Sequence, residues 1–331
     1  MRVYNEIKDL FYTSAEPDEL SHSRVCIFAS YSADNTMPDY VVYYLKELSK
    51  VCDAIIFVAD NQTSESEFAK IKDLVIYAQF SKHGKYDFGS YAIGFNQLKK
   101  SKLYDKTQDL LFCNDSVYGP YYPLSQLFEK RKLAKYNKFY GHTINRIAYE
   151  RGADKMVSNC IMPHIQSYFF VLDKKIFTSS FFSDFLNSVK IEAAQIDIII
   201  NYELGLTKII TENGYDFDAY FSDTQYYNPC KEFCEHFNKM LFIKKNRLRY
   251  YHTYYLNKLL ESTTYPFYFI SKNIYKKSIY ILLLSKLYFA FELNRLIKAN
   301  TYYKKWYLKK KLGKHYYACD LSAIITPKAK K

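Results

Sequence analysis

The sequence predicts an α/β protein with a Rossmann-type, mostly parallel sheet flanked by helices, followed by a basic helical C-terminal region. Three observations predict this class. Short runs rich in β-branched and aromatic residues alternate with segments of helical spacing over about the first 230 residues. Apolar residues make up 49% of the 331 residues, which is enough for a sizeable core. The positive charge is concentrated in the last third of the chain.

The predicted elements alternate in order along the chain. The predicted strands are Val25–Ala29, Ala54–Ala59, Leu74–Gln79, Leu110–Cys113, Phe139–Thr143 and Ile165–Leu172. The predicted helices are Asp39–Ser49, Ser64–Lys72, Phe88–Lys100, Ser180–Val189 and Ala193–Leu206. Strands that alternate with helices imply right-handed crossovers and a sheet covered on both faces.

The charge distribution divides the chain into two predicted regions, residues 1–228 and residues 229–331. The second region carries 22 Lys and Arg against 5 Asp and Glu, whereas the first carries 25 and 29. Such asymmetry indicates an anionic partner. In Ile274–Lys298 and Tyr302–Lys314, lysines are interleaved with apolar and aromatic residues, which is typical of a helix on an anionic membrane surface. The alternative is a helical subdomain packed on the body with a solvated basic face. No nucleic-acid-binding motif is present, so nucleic acid is not an expected partner.

The cysteines and the termini predict the compartment. Seven cysteines are scattered along the chain, and Cys26, Cys52 and Cys113 lie in or beside apolar runs. This pattern indicates buried thiols in a reducing compartment, and the lone pair Cys230 and Cys234 is a weak metal signal. The first residues lack the apolar segment of a signal peptide, and no run of about 20 uncharged apolar residues exists. We therefore expect a cytoplasmic protein, peripheral on the inner membrane.

Polar residues follow the predicted strands where a ligand of a parallel sheet binds, beyond the carboxyl ends. These residues are Ser30 and Tyr31, then Asp60, then Gly84, Asp87 and Ser90, then Asn114 and Asp115. No GxxxxGKS/T or GxGxxG phosphate loop is present, which disfavours kinases, ATPases and dehydrogenases. Asp115 ends a predicted buried strand and suits Mg²⁺ or Mn²⁺ bridged to substrate phosphates. The alternative is that Asp115 caps the following turn.

Four runs of sequence carry a resemblance to a known family. They are HGKYDFGSYAIGFNQL (83–98), LLFCNDSVYGPYYPL (110–124), HIQSYFFVLDKKIFTSSFFSDF (164–185) and INYELGLTKIITENGY (200–215). Their order and spacing resemble the rhamnan synthesis protein F family over roughly residues 22–225, with residues 229–331 expected to lie outside it. That family is similar to GT-A glycosyltransferases of bacterial polysaccharide and lipopolysaccharide assembly.

The resemblance implies a GT-A-like domain that binds a nucleotide-sugar donor and a glycan or glycolipid acceptor. By the family pattern, Asp60 recognises the base, and Gly84, Asp87 and Ser90 face the nucleotide. Asp115 stands where a DxD-type motif holds a metal ion and the diphosphate, so Mn²⁺ or Mg²⁺ is the implied cofactor.

The sequence departs from that pattern at one point. Only one carboxylate of a DxD pair remains in Cys113-Asn114-Asp115, which leaves metal dependence open. A basic group is the alternative means of neutralising the diphosphate, and the candidates are Lys82, Lys85 and His83.

Candidates for the reacting carboxylate and for acceptor binding come from the later runs. Glu203 is the first candidate for the general base, because it lies in the apolar segment IDIIINYELGL, where a carboxylate is costly without a partner or a task. Asp197 is the second candidate, and the alternative for Glu203 is that it caps or ion-pairs at a helix face. His164, Gln166 and Ser167 are expected to bind the acceptor or the diphosphate.

Two other function classes remain open from the sequence. A catalytically inactive, GT-like scaffold of a glycan assembly complex is compatible with the single DxD carboxylate. A nucleotidyl- or phosphotransferase on the same sheet is disfavoured by the lack of a Gly-rich phosphate loop.

Overall fold

A computed structural model of the protein describes residues 9–152, 157–224 and 240–245. In these ranges the strands are β1 Leu10–Thr13, β2 Arg24–Ser30, β3 Ala54–Ala59, β4 Tyr77–Phe80, β5 Asp109–Asn114, β6 Val117–Tyr118, β7 Phe139–Arg151, β8 Val157–Ile165, β9 Phe169–Asp173, β10 Phe217–Phe221 and β11 Ile243–Lys244. The α-helices are α1 Asp39–Leu48, α2 Glu65–Phe68, α3 Tyr86–Lys99, α4 Leu103–Lys106, α5 Ser125–Leu133, α6 Lys174–Phe177, α7 Ser180–Asn187, α8 Gln195–Ile198 and α9 Gly205–Glu212. A 3₁₀-helix spans Lys72–Leu74, and a π-helix spans Ile199–Leu204.

Four parallel strands in the order β4-β3-β2-β5 form the centre of the large sheet. Alternate residues of β2 enter different cores, because successive side chains of a strand point to opposite faces. Cys26 and Phe28 pack in the cluster that contains α1, whereas Val25 and Ile27 pack in the cluster that contains α3. The predicted mixed α/β class, with helices on both faces of a mostly parallel central sheet, is confirmed.

The rest of the sheet is mixed in direction. β9 lies antiparallel between β5 and β7, β10 is parallel to β7, and β8 forms an antiparallel hairpin with β7. β1 adds an antiparallel edge beside β4. β9 pairs with β5 over residues 109–113, and β7 continues beyond β9 to pair with β8, so the β7–β8 hairpin forms a second wall near the carboxyl ends of the parallel strands.

Two elements predicted as continuous in the later part of the chain are interrupted in the structure. The predicted strand Ile165–Leu172 is two strands, because β8 ends at Ile165 and β9 begins at Phe169. The predicted helix Ala193–Leu206 is interrupted by the π-helix, which adds a residue to its turn. Buried residues occupy both sides of each interruption, so apolar pattern alone does not reveal the breaks.

Residues 240–245 belong to the body, although the sequence places them in the basic region. Met240, Leu241, Phe242 and Ile243 are all buried in the core cluster that contains α1. β11 pairs with β6 antiparallel, and the Tyr121 N–H donates to the Leu241 carbonyl at 2.9 Å.

Gly119 permits this close packing. A Cβ atom at Gly119 would lie 2.6 Å from the Leu241 carbonyl oxygen, and its φ of +135° is unfavourable for other residues. The predicted domain boundary between residues 228 and 229 stays a prediction. The core nevertheless includes residues 240–243, which lie beyond that boundary.

The structure describes only some of the residues to which the remaining sequence predictions apply. Cys26, Cys52 and Cys113 are buried thiols without a disulfide, as predicted. Cys230, Cys234, Ile274–Lys298 and Tyr302–Lys314 lie outside the described residues. No helix within the described ranges is long and apolar enough to cross a membrane.

Candidate active site

A cavity of about 740 Å³ opens at the carboxyl ends of the four parallel strands. Its size lies within the range of about 300–1,000 Å³ typical of small-molecule sites. The loops after the parallel strands form one wall, and β7, the β8–β9 turn, the π-helix and β11 form the other. The predicted residues on the first wall are Ser30, Tyr31, Asp60, Gly84, Asp87, Asn114 and Asp115. Those on the second wall are His164, Gln166, Ser167 and Glu203.

Asp60 shapes the loop that precedes α3. Its Oδ1 accepts the N–H groups of His83 and Gly84 at 2.7 and 2.9 Å. The His83 ring is fixed in turn, because its Nδ1 accepts the Lys85 N–H at 3.1 Å and its Nε2 lies 3.0 Å from Ser90 Oγ. Ser90 is therefore a buried support of this loop and does not line the cavity.

His83 is a neutral group of the loop at physiological pH. Burial lowers the pKa of His83, an effect that Asp60 opposes and Lys85 reinforces. Its Nδ1 is already an acceptor, so the imidazole carries its proton on Nε2. His83 is thus unsuited to the charge-neutralising role that the sequence left open for it.

Asp87 opens α3 at the floor of the cavity. Its Oδ1 accepts the Phe88 N–H at 3.1 Å, and its Oδ2 accepts Asn114 Nδ2–H at 2.9 Å. The preceding Tyr86 adopts a φ of +55°, a strained conformation for a non-glycine residue that is often found at functional sites. Asn114 thereby joins the end of β5 to the beginning of α3.

Asp115 is surrounded by donors. Its Oδ2 is approached by Ser30 Oγ at 3.4 Å, the Tyr31 N–H at 3.5 Å and Tyr40 OH at 3.3 Å. Lys245 Nζ also lies 3.5 Å from the same oxygen. Among the residues that the structure describes, no group of three or more His, Cys, Asp or Glu could hold a metal ion. A divalent cation on this carboxylate would stand beside the Lys245 ammonium, so the donor set at Asp115 does not fit the implied metal.

The second wall presents a hydrogen-bonded set centred on Ser167. The Ser167 N–H and Oγ donate to Glu203 Oε2 at 3.1 and 2.6 Å, and the same Oγ lies 3.2 Å from Asp87 Oδ2. The two carboxylates therefore reach one hydroxyl from opposite walls. A serine hydroxyl has one proton, and the shorter distance assigns it to Glu203.

His164 faces the same carboxylate from a buried position. Its Nδ1 lies 2.8 Å from the Met162 carbonyl, which assigns a proton to Nδ1. Its Nε2 is 3.5 Å from Glu203 Oε1, is buried, and makes no hydrogen bond in the described part of the chain. With the proton on Nδ1, Nε2 is an acceptor, and a buried polar atom without a hydrogen bond is costly, so Nε2 is a position to which a ligand hydroxyl could donate.

The environments of Asp87 and Glu203 drive their pKa values apart. Burial and the neighbouring Glu203 charge raise the pKa of Asp87, against the smaller opposing effects of Lys244 and Ser167. Burial would also raise the pKa of Glu203, but the approach of His164 at 3.5 Å, together with Lys244 and Ser167, lowers it to about 2. Two carboxyl groups at one site with diverging pKa values are a pattern of acid–base division of labour.

We expect the Glu203 carboxylate to stabilise the fold at neutral pH. Because its folded pKa of about 2 lies below its ordinary value of 4.5, this stabilisation is complete above about pH 4.5 and is lost as the pH falls toward 2. Glu203→Gln should therefore lower the free energy of unfolding by about 3 kcal/mol at pH 7 and by much less at pH 3. Urea unfolding of both proteins at the two pH values measures this difference.

Glu212→Gln is the matched control, since Glu212 is exposed and pairs with exposed Lys208 at 3.8 Å. It should change stability by less than about 1 kcal/mol at either pH. A pH-independent difference for Glu203→Gln would contradict the assigned pKa.

Besides Ser90, one further residue predicted for the site does not line the cavity, and several lining residues were not predicted. Asp197 is on α8, but the lining residues of that helix are Gln195 and Ile198. Lining residues that the sequence did not indicate include Asn145, Ile147, Tyr149 and Lys244. The alternation along β7 could have indicated Asn145, Ile147 and Tyr149, which share one face of that strand.

Fold and site together define a mixed α/β protein with a candidate ligand cavity at the carboxyl edge of a parallel sheet. The chain belongs to the rhamnan synthesis protein F family, whose sequence profile matches residues 55–304. The resemblance was expected to end near residue 225 and to exclude residues 229–331. This expectation is wrong, because the family match extends to residue 304. The physical reason is visible in residues 240–245, which supply core residues and a lining lysine.

Comparisons with other proteins add no functional argument. No curated protein matches the sequence. Among solved structures, 4-diphosphocytidyl-2C-methyl-D-erythritol synthase from Anaerococcus prevotii is similar at 16% identity and a TM-score of 0.36, over 62% of this chain and 88% of that chain. A second structure of an enzyme of that name is similar at 8% identity and a TM-score of 0.37, over 66% of this chain and 98% of that chain.

Proposed function

We propose that the protein is a glycosyltransferase that moves a sugar from a nucleotide-sugar donor to a precursor of a cell-surface polysaccharide or lipopolysaccharide. Its family is named for the synthesis of a polysaccharide, rhamnan. The observation that carries the proposal is the convergence of Asp87 and Glu203 on Ser167, inside a cavity at the carboxyl ends of the parallel strands. Such a cavity suits a nucleotide, and the paired carboxyl groups suit proton transfer.

The donor is proposed to bind along the first wall. The Asp60 carboxylate fixes the backbone at His83 and Gly84, so this loop presents a preformed edge to the base and ribose. Tyr31 is half exposed above the same edge and offers a ring for stacking on the base. Asn114 lies at the end of β5, between this nucleotide position and the second wall.

Asp87 is the proposed general base. The acceptor hydroxyl oxygen attacks the anomeric carbon, its proton passes to the Asp87 carboxylate, and the nucleoside diphosphate leaves with the electrons of the broken C–O bond. A base is most effective when its pKa approaches the working pH, and the pKa of Asp87 is raised whereas that of Glu203 is about 2. Glu203, the first candidate from sequence, then acts as a positioning residue that orients Ser167 and His164.

Binding and turnover of nucleotides test the proposal. We expect one of UDP, GDP, dTDP or CMP to raise the melting temperature of the full chain selectively, and the matching nucleotide sugar to be hydrolysed slowly without acceptor. With a nucleoside-diphosphate sugar as substrate, release of nucleoside monophosphate instead of diphosphate would indicate a nucleotidyl- or phosphotransferase. Stabilisation by none of the nucleotides would favour the inactive scaffold.

We propose in addition that the basic region brings the enzyme to a lipid-linked acceptor on an anionic membrane surface. Changing the six lysines of Tyr302–Lys314 to Gln in the full chain should abolish co-sedimentation with vesicles that contain anionic lipid. Each lysine near such a surface contributes about 1 kcal/mol, so the combined loss is large. A deletion from residue 230 is a poorer test, because it removes Leu241, Phe242 and Ile243 from the core.

The control for this experiment changes exposed lysines of the body, Lys50, Lys102, Lys132 and Lys208, to Gln in the full chain. That variant should still bind the vesicles. Equal loss of binding in both variants would show that net charge, not the basic region, attracts the protein to the membrane.

A further inference from the structure

Two consecutive lysines lie beside the cavity, Lys244 at the end of β11 and Lys245 directly after it, beyond the region that the sequence assigned to catalysis. Lys244 lines the cavity, and its Nζ lies 3.4 Å from Ser116 Oγ and 4.5 Å from the centre of the Tyr168 ring. Lys245 Nζ lies 2.6 Å from Tyr40 OH and 3.5 Å from Asp115 Oδ2. The two ammonium groups therefore stand beside Ser116 and Asp115, the residues that follow β5.

We infer that Lys244 and Lys245 form the diphosphate-binding site of the cavity and supply, without a divalent metal, the positive charge that a diphosphate needs. This inference rests on the proposed function for the identity of the nucleotide, but the anion site itself does not depend on it. A lysine ammonium is a compact charge with three donors and is a common phosphate ligand. Lys245 lies beside Asp115, the single carboxylate that remains of the DxD pattern.

The charge balance of the cavity supports this assignment. Asp60, Asp87, Asp115 and Glu203 line the same space, so an incoming diphosphate would meet like charge without a compensating cation. Lys244 acts on both carboxylates at the reacting end, since its charge opposes the rise in the pKa of Asp87 and helps lower that of Glu203. Lys245 compensates Asp115 directly.

The backbone holds the two lysines in place before any ligand binds. The Lys245 N–H donates to the Ser116 carbonyl at 2.9 Å, and Ile243 is paired with Tyr118 in the β6–β11 ladder. Phe242, immediately before them, is buried among aromatic rings. A site fixed in this way binds an anion with little loss of conformational freedom.

The test uses inorganic pyrophosphate and the nucleoside diphosphate that stabilises the wild-type chain, with calorimetry in EDTA and again in Mn²⁺. We expect both ligands to bind in EDTA, with dissociation constants within about threefold of those in Mn²⁺. Lys244→Gln and Lys245→Gln should each weaken pyrophosphate binding by about tenfold or more, on the scale of one charge-assisted contact. The same two substitutions should weaken binding of the corresponding nucleoside monophosphate much less. Replacing Lys244 by Arg instead of Gln should restore pyrophosphate binding.

The control is Lys208→Gln, which alters an exposed lysine on α9 and should bind as wild type does. Thermal unfolding of each variant separates loss of the site from loss of the fold. Binding of pyrophosphate only when Mn²⁺ is added, or unchanged affinity in both lysine variants, would overturn the inference. Pyrophosphate binding by a chain that cleaves no nucleotide sugar would support the anion site while rejecting the proposed glycosyl transfer.

Discussion

Asp87→Asn is expected to reduce sugar transfer by about 10² to 10⁴-fold, the range that a positioned general base contributes. The change preserves the size of the side chain and an oxygen that can accept the Asn114 Nδ2–H, which the wild-type carboxylate accepts at 2.9 Å. It removes the group that would accept the acceptor proton. The measurement is kcat with saturating donor and acceptor, because loss of the base should affect kcat more than KM.

Asp87→Asn should also change how the stability of the protein depends on pH, and the direction of this change follows from the raised pKa of Asp87. Because the folded pKa of Asp87 is raised above 3.8, the folded state binds this proton more tightly than the unfolded state. Wild-type stability therefore declines as the pH rises from about 4 through the folded pKa, by about 1.4 kcal/mol for each unit of pKa shift. Asp87→Asn lacks this proton equilibrium, so it should gain stability relative to wild type between pH 4 and pH 7.

The control for both measurements is Asp184→Asn on the exposed face of α7, which should leave turnover and the pH dependence unchanged. Normal turnover in Asp87→Asn together with lost turnover in Glu203→Gln would assign the base to Glu203, as the sequence first indicated. A stability difference that stays constant with pH would contradict the raised pKa of Asp87.

Phe242→Ala is expected to lower the free energy of unfolding by about 3–5 kcal/mol, as for other buried phenylalanines. Phe242 is 1% exposed, and its ring centre lies within 5.1–5.3 Å of the ring centres of Tyr44, His142 and Phe169. Removing the ring leaves a cavity under residues 240–245. Because Lys244 and Lys245 follow directly, weaker binding of the nucleoside diphosphate should accompany the loss of stability.

Phe11→Ala is the matched control, because Phe11 is 63% exposed on β1, outside the buried core. It should change stability by no more than about 0.5 kcal/mol. Urea unfolding gives the free energies, and calorimetry at a temperature where both variants are folded gives nucleotide affinity. Wild-type stability in Phe242→Ala would show that residues 240–245 are not part of the core.

Much of the first wall could be predicted from the chain alone. Parallel strands such as Ala54–Ala59 are buried on both faces, so they appear as continuous apolar runs with polar residues at their ends. The carboxyl ends of such strands meet at one edge of the sheet, which is why Asp60 and Asp115 were both expected in the cavity. Local pattern and sheet geometry together determine this half of the site.

The second wall depends on contacts that local pattern does not encode. The β8–β9 break places Ser167 between two carboxyl groups, and the π-helix places Glu203 at the cavity while Asp197 stays off it. Both breaks have buried residues on either side, so burial pattern does not mark them. The diverging pKa values of Asp87 and Glu203 also arise from burial and mutual approach, which only the folded chain creates.

By itself the sequence determined the α/β class, the parallel centre of the sheet and the acidic edge of the candidate site, because each follows from residues close together in the chain. Only the tertiary structure decided that Lys245 approaches Asp115 across 130 residues of sequence. A lysine in a basic stretch has no local feature that distinguishes it from its neighbours. Its position is set by the burial of Leu241, Phe242 and Ile243, since hydrophobic packing of that segment holds Lys244 at the cavity and Lys245 beside Asp115.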